Sequence, residues 1–247
     1  MATPARSICS RRVPGVTSDM RLGLLGGTFD PVHFGHLDAA QAAHAALQLD
    51  EVQLVPAHDP PHRQEDPRSS AFHRFALLAL AVNAYPWMRA SDRELRRTGR
   101  SYTIDTLRAL HTEGWQASQL FFILGTDAFA EIASWRSFPD VLDAANFVVI
   151  ARPGTATNAA FTRVSGITDR LQASGADTRD PRRTWVFPVE ARTRDVSSTL
   201  IRARLNARDR IDDLVPATVA RHILAHHLYG AVDDLHGEDE RITSQGT

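Results

Sequence analysis

The chain is poor in the features that would commit it to a special environment. It has one cysteine, Cys9, in 247 residues. One thiol cannot close an internal disulfide, so nothing points to an oxidising compartment. No apolar run approaches membrane-spanning length. Net charge is only −1, from 28 basic and 29 acidic residues. Neither nucleic acid nor a membrane surface is therefore gripped by overall charge, and any anion site must be local. There is no internal repeat and no clean linker. These absences leave a cytoplasmic protein as the expectation, with ordinary apolar (43%) and charged (23%) shares.

The two ends stand apart from the rest. Residues 1–19 carry three arginines and no acid before Asp19. They lack the apolar centre of a secretory signal. Met20 directly precedes the first strand-like run, so the lead is expected to be extraneous or disordered, with translation starting at Met1 or Met20. Residues 231–247 read as a polar tail. The expected folded domain is 20–230.

Within it, short apolar runs read as buried strands at 22–26, 52–57, 120–125, 147–151 and 185–190. Most lack alternation, as strands covered on both faces do. Helical patterns lie at 35–47, 70–84, 102–111 and 126–133, with two closing pieces at 198–205 and 216–229. This alternation predicts an α/β fold, a doubly wound parallel sheet with a small helical C-terminal portion. Ligands of such sheets bind at the carboxyl ends of the strands.

One stretch lies at such an end: "GGTFDPVHFGHL", Gly26 to Leu37. Gly26 and Gly27 allow a sharp turn and a close approach of ligand to backbone. Gly35 opens a helix whose first N–H groups favour phosphate. His33 just before that helix and His36 in its first turn can face one phosphate chain, since imidazole donates hydrogen bonds when neutral and gains charge beside phosphate. Merely capping the helix is the plainer role for either histidine alone. The stretch is neither a Walker A loop nor a dinucleotide fingerprint. A second helix start, "DVSSTLIRARL", puts Ser197 or Ser198 at an N-cap, with Thr199 next and Arg202 one turn on, another set able to grip phosphate.

Together, "HFGH" and "SSTLIR" resemble the His-x-Gly-His and Ser-x-Thr-x-x-Arg signatures of the nucleotidyltransferase superfamily. "VPAHDPPHR", "SYTIDTL", "GTDAFAEIASW", "ARPG" and the closing helix make the chain similar to bacterial nicotinate-nucleotide adenylyltransferases, from about Arg21 to Tyr229. The resemblance implies a Rossmann-like nucleotidyltransferase fold. It implies transfer of the adenylyl group of ATP to nicotinate mononucleotide, giving deamido-NAD and pyrophosphate. His33, His36 and Arg202 would be catalytic. ATP would meet Gly26, Gly27, Thr28 and Phe29, then Gly125, Asp127, Ser198, Thr199 and Arg202. The mononucleotide would meet Arg63, Tyr102, Thr103, Trp135 and Arg152. Mg²⁺ would bind mainly through the ATP phosphates, with no protein metal ligand assigned.

Several of these residues have plainer roles. Asp127 suits a helix cap as well as a ribose, Trp135 suits core packing, and Arg152 suits a surface ion pair. Asp105 supports its helix start. Arg63 stands where the family carries lysine, which weakens its assignment. Arg93, Arg96, Arg97 and Arg100 read as a solvated face. His226 and His227, adjacent on a helix, face apart and do not form a shared metal site. The alternatives are a preference for nicotinamide mononucleotide, dual use, or a non-catalytic nucleotide-binding regulator. The chain carries no mark of nucleic-acid or membrane partners, and a homo-oligomer stays open.

Overall fold

The computed structural model describes residues 17, 19–60, 66–151, 161, 163–164, 166–173 and 183–231. Most of the expected lead and tail, together with His62, Arg63, Arg152 and much of 155–184, lie outside the described residues.

The described residues form a six-stranded, all-parallel sheet. In chain order the strands are β1 (Leu22–Gly27), β2 (Glu51–Pro56), β3 (Met88–Ala90), β4 (Leu120–Gly125), β5 (Asn146–Ala151) and β6 (Val186–Glu190). Their spatial order is β3-β2-β1-β4-β5-β6. The order reverses between β1 and β4, and that crevice is where a doubly wound sheet takes its ligand.

The helices are α1 (Phe34–Leu47), α2 (Ala71–Val82), α3 (Thr103–Thr112), α4 (Thr126–Ala130), α5 (Ser198–Asn206) and α6 (Ala217–Ala225). They divide between two cores. Leu37, Ala40, Ala43 and Leu47 of α1 share one core with Leu77 and Leu78 of α2, Ile201 of α5 and Val219 of α6. On the other face Ile104, Leu107 and Leu110 of α3 pack with Leu22, Leu24, Phe147 and Phe129. Burial on both faces explains the unbroken apolar strands; every residue of β5 is buried.

Three boundaries differ from the sequence reading. β3 was not expected, because three residues at a sheet edge carry too little pattern to read. The helix expected over 126–133 stops at Ala130 and continues as a 3₁₀ turn, Ile132–Ser134. The closing helix ends at Ala225, where His226 caps it and His227 turns left-handed (φ 47°). His226 and His227 are therefore past the helix rather than on it. The His226 ring instead lies 4.3 Å from that of His222 and 5.1 Å from that of His73.

One polar side chain ties three strands at their amino ends. Asn146 is fully buried. Its Nδ2 donates to Ser118 O (3.1 Å) and Leu120 O (3.2 Å), and its Oδ1 accepts from Trp185 N (2.9 Å). Asn146→Ala would leave these groups buried and unpaired. A loss of about 2–4 kcal/mol is expected in urea unfolding, with the carboxyl-end geometry unchanged.

Candidate active site

The loop leaving β1 is built from its own backbone. The Asp30 carboxylate, 1% exposed, accepts from Arg68 N (2.8 Å) and Ser69 N (3.1 Å). Arg74, equally buried, donates to Thr28 O (2.9 Å) and Ala57 O (2.7 Å). From α5, Ser198 Oγ donates to Pro31 O (2.8 Å) and Arg202 Nη1 to Asp30 O (2.7 Å). The loop is thus held from α2 and from α5 at once.

His33 is the N-cap residue of α1 and His36 lies three residues on. Their rings stack with centroids 3.7 Å apart. His33 N donates to His36 Nδ1 (3.2 Å). A neutral His36 therefore carries its proton on Nε2, leaving a donor on the other edge of the ring. Phe29, 1% exposed, meets His36 edge-on at 4.8 Å and supports it from below. Its ring is core, so only its backbone is available to a ligand. Burial pushes the His33 imidazole down to about 4, against a partial upward pull from Asp38. Burial, and then His33 beside it, hold His36 well below its usual value. His33 Nδ1 is buried with no hydrogen-bond partner among the described residues.

Gly35 makes the stack possible. A Cβ there would lie 3.1 Å from His33 Nδ1 and 3.3 Å from Arg194 O. Arg194 is held in turn by Asp38, through Nη2 to Oδ1 (2.7 Å), Nε to Oδ2 (3.0 Å) and the backbone N–H (2.9 Å). Its guanidinium lies 3.6 Å from the centre of the Phe34 ring. Burial raises the Asp38 carboxyl, and the hydrogen bonds and charge of Arg194 overcome this and hold it below the usual range.

Two cavities meet over the end of β1. One, of about 580 Å³, is lined by Gly26, His33, Gly35, His36, Leu124, Gly125, Asp127, Ala128 and Arg194. The other, of about 270 Å³, is lined by Gly26, Gly27, Thr28, Ala57, Pro60, Glu94, Ser101, Tyr102, Thr103, Leu124, Ala128, Trp135 and Arg136. Gly26, Leu124 and Ala128 are common to both. A Cβ on Gly26 would meet the Phe122 ring at 3.1 Å.

A cytidylyltransferase-like family profile matches residues 24–204. The "Probable nicotinate-nucleotide adenylyltransferase" of Chromobacterium violaceum is 38% identical over 209 residues, covering 85% of this chain and 98% of that one. The protein of the same name from Chromohalobacter salexigens is 39% identical over 218 residues, covering 85% and 95%. The chain belongs to the nicotinate-nucleotide adenylyltransferase family. In fold it is similar to Plasmodium falciparum nicotinic acid mononucleotide adenylyltransferase, solved with NaAD. The TM-score is 0.65 at 16% identity, with 86% of this chain and 98% of that chain covered.

Among the site residues that the family signatures suggest, His33, His36, Gly125 and Asp127 share the larger cavity with Gly26. Gly27, Thr28, Tyr102, Thr103 and Trp135 share the smaller one. Asp127 is in the first turn of α4 and exposed, and makes no side-chain cap bond. Trp135 meets Phe122 edge-on at 5.9 Å while lining its cavity, so packing and ligand contact coexist. Ser197, not Ser198, caps α5, accepting from Leu200 N (3.1 Å). Ser198 and Arg202 hold the β1 loop, and Thr199 Oγ1 accepts from Arg202 Nη2 (3.3 Å). None of these three lines either cavity. Three of the clustered arginines are engaged with neighbours: Arg93 with Glu113, Arg96 with Asp92, Arg97 with Thr106. Asp105 pairs with Arg136 (3.4 Å).

Sequence reasoning missed Asp30, Arg74, Glu94 and Arg194. Arg74 and Asp30 had a signal, being charges inside otherwise apolar or proline-bounded stretches. Arg194 sits among several exposed charges and had none.

Two outcomes follow from the histidine stack. Gly35→Ala displaces the His33 ring, and kcat/KM is expected to fall at least tenfold in a steady-state assay with little change in far-ultraviolet dichroism. The unfolded state binds more protons than the folded one between the lowered value of His33, about 4, and its ordinary value of 6.5. Stability should therefore fall as pH drops through this window. His33 contributes up to about 3 kcal/mol of that fall, and His33→Asn should show correspondingly less in urea melts at pH 7 and pH 4.5.

Proposed function

We propose that this protein transfers the adenylyl group of ATP to nicotinate mononucleotide, releasing pyrophosphate and deamido-NAD, as a step of cytoplasmic NAD biosynthesis. The observation that carries this reading is the meeting of two cavities over Gly26, one beside the stacked histidines and one beside Trp135 and the start of α3. Two substrates entering from opposite sides would bring their reacting ends together at the tip of β1. The family relatives support the same reaction.

In the step proposed, a phosphate oxygen of the mononucleotide attacks the α-phosphorus of ATP. The bond from that phosphorus to the bridging oxygen breaks, and pyrophosphate carries away the electron pair. The monoester is already anionic, so no strong base is required. The chain's task is to position two polyanions and stabilise charge. His36 offers Nε2–H to the phosphates, and His33, stacked on it in the same cavity wall, gains charge once protonated. Phosphate beside these rings would pull protons onto them, so charge arrives with the ligand. Arg194, fixed by Asp38, adds a permanent cation on the same side. Arg202 and Ser198 act by holding the loop, and reach the leaving phosphates only from that position. Gly125 leaves space at the end of β4, where an added Cβ would meet nothing within 4 Å. This suits a ribose held by Asp127.

A divalent cation fits through the nucleotide rather than through the protein. Among the described residues no group of three or more histidines, cysteines or acids is placed to hold a metal ion. Mg²⁺ bound to the triphosphate would screen its charge.

On the pyridine side, Trp135 supplies a ring face and the first turn of α3 supplies backbone N–H groups, which suit a carboxylate. The test is pyrophosphate release with ATP, Mg²⁺ and either nicotinate or nicotinamide mononucleotide. Nicotinate is expected to be preferred. His36→Ala should lose roughly 10²–10³ in kcat/KM. Equal use of the two mononucleotides would remove the carboxylate preference, and no release with either would remove the function.

A further inference from the structure

Glu94 lies in the wall of the pyridine-side cavity, 8% exposed. An acid there is a conflict for a site proposed to take a carboxylate, and burial pushes its carboxyl upward. Its hydrogen bonds resolve the conflict. Thr106 Oγ1 accepts from Arg97 Nη2 (2.5 Å) and donates to Glu94 Oε1 (2.5 Å). Ser101 Oγ accepts from His58 N (2.8 Å). The Thr106 hydroxyl receives an N–H, so its own proton is directed at Glu94. Thr106 belongs to the first turns of α3, and His58 to the loop after β2. Ser101 N also donates to Asp59 O (2.8 Å). Glu94 thus holds α3 through Thr106, while Ser101 joins the approach to α3 to the loop after β2.

We propose that Glu94 is a positioning residue for the pyridine nucleotide, holding the first turns of α3 in place in the cavity wall through Thr106. The inference rests on the reading of this cavity as the mononucleotide side. It assigns Glu94 no contact with the reacting atoms. The ATP-side cavity is lined by none of Glu94, Arg97, Thr106 and Ser101, so the effect is confined to one substrate.

Thr106 separates positioning from contact, because it is 2% exposed and does not line the cavity. Thr106→Val removes the hydroxyl at nearly constant shape. It is expected to raise KM for the mononucleotide by roughly tenfold, the scale of one buried hydrogen bond, with KM for ATP unchanged. Thr106→Ser keeps the hydroxyl and should restore the wild-type KM. Glu94→Gln should follow Thr106→Val. Amide hydrogen exchange supplies a readout without substrate: residues 101–106 should exchange faster in Thr106→Val and Glu94→Gln, with α1 unaffected. Faster exchange with no turnover of either mononucleotide by wild type would uphold the positioning and sink the substrate reading. Unchanged exchange, or a KM rise shared equally by ATP, would overturn the positioning itself.

Discussion

The site depends on one constraint: the loop from Thr28 to His33 is fixed by hydrogen bonds to its own carbonyl oxygens. Thr28, Asp30 and Pro31 each give a carbonyl to a side chain from elsewhere. A loop held this way needs no large side chains of its own, so its inner surface stays open to ligand. The chain contains no lysine, and the two long side chains that do this work are arginines. A guanidinium presents several donors in a rigid fork, which lets Arg74 reach the ends of two strands at once. An ammonium would satisfy the same oxygens less selectively.

With the loop fixed, the rest of the chemistry is a matter of charge held in reserve. His33 and His36 stack in a water-poor setting that keeps both neutral, while Asp38 and Arg194 form an ion pair alongside. An apo site carrying several bare cations would bind any anion that diffused past. In the function proposed, imidazoles that charge only against phosphate would discriminate in favour of the ligand dense enough in charge to protonate them. The second cavity would add selection by shape, through Trp135 and the start of α3. Glu94 lies in its wall.

Most of the architecture was legible because it follows from local pattern. Unbroken apolar runs between amphipathic segments imply a parallel sheet, and five of its six strands were marked that way. β3 was not, since an edge strand of three residues has no pattern to show. The histidine pair could be read because glycines and a proline fix its surroundings within a dozen residues. Arg194 and Glu94 could not, because their roles come from partners that the sequence does not place near them. Arg194 meets Asp38 across 156 positions. Ser198 and Arg202 were assigned to phosphate on motif alone, whereas the geometry gives both a prior engagement with the β1 loop. The helix end at Ala225 was overrun because Leu228 and Tyr229 continue an apolar pattern after the backbone has already turned.

The bonds from α5 to the β1 loop span 167 and 172 residues. Such distant contacts form late, after the sheet that brings them together. During synthesis the segments of β1, α1 and β2 are complete long before Ser198 and Arg202 exist. The glycine–histidine loop then exists as sequence without its final anchorage. The geometry of this loop is therefore complete only when α5 is in place, and a chain cut short before α5 would carry an unfinished loop rather than a weak version of the site.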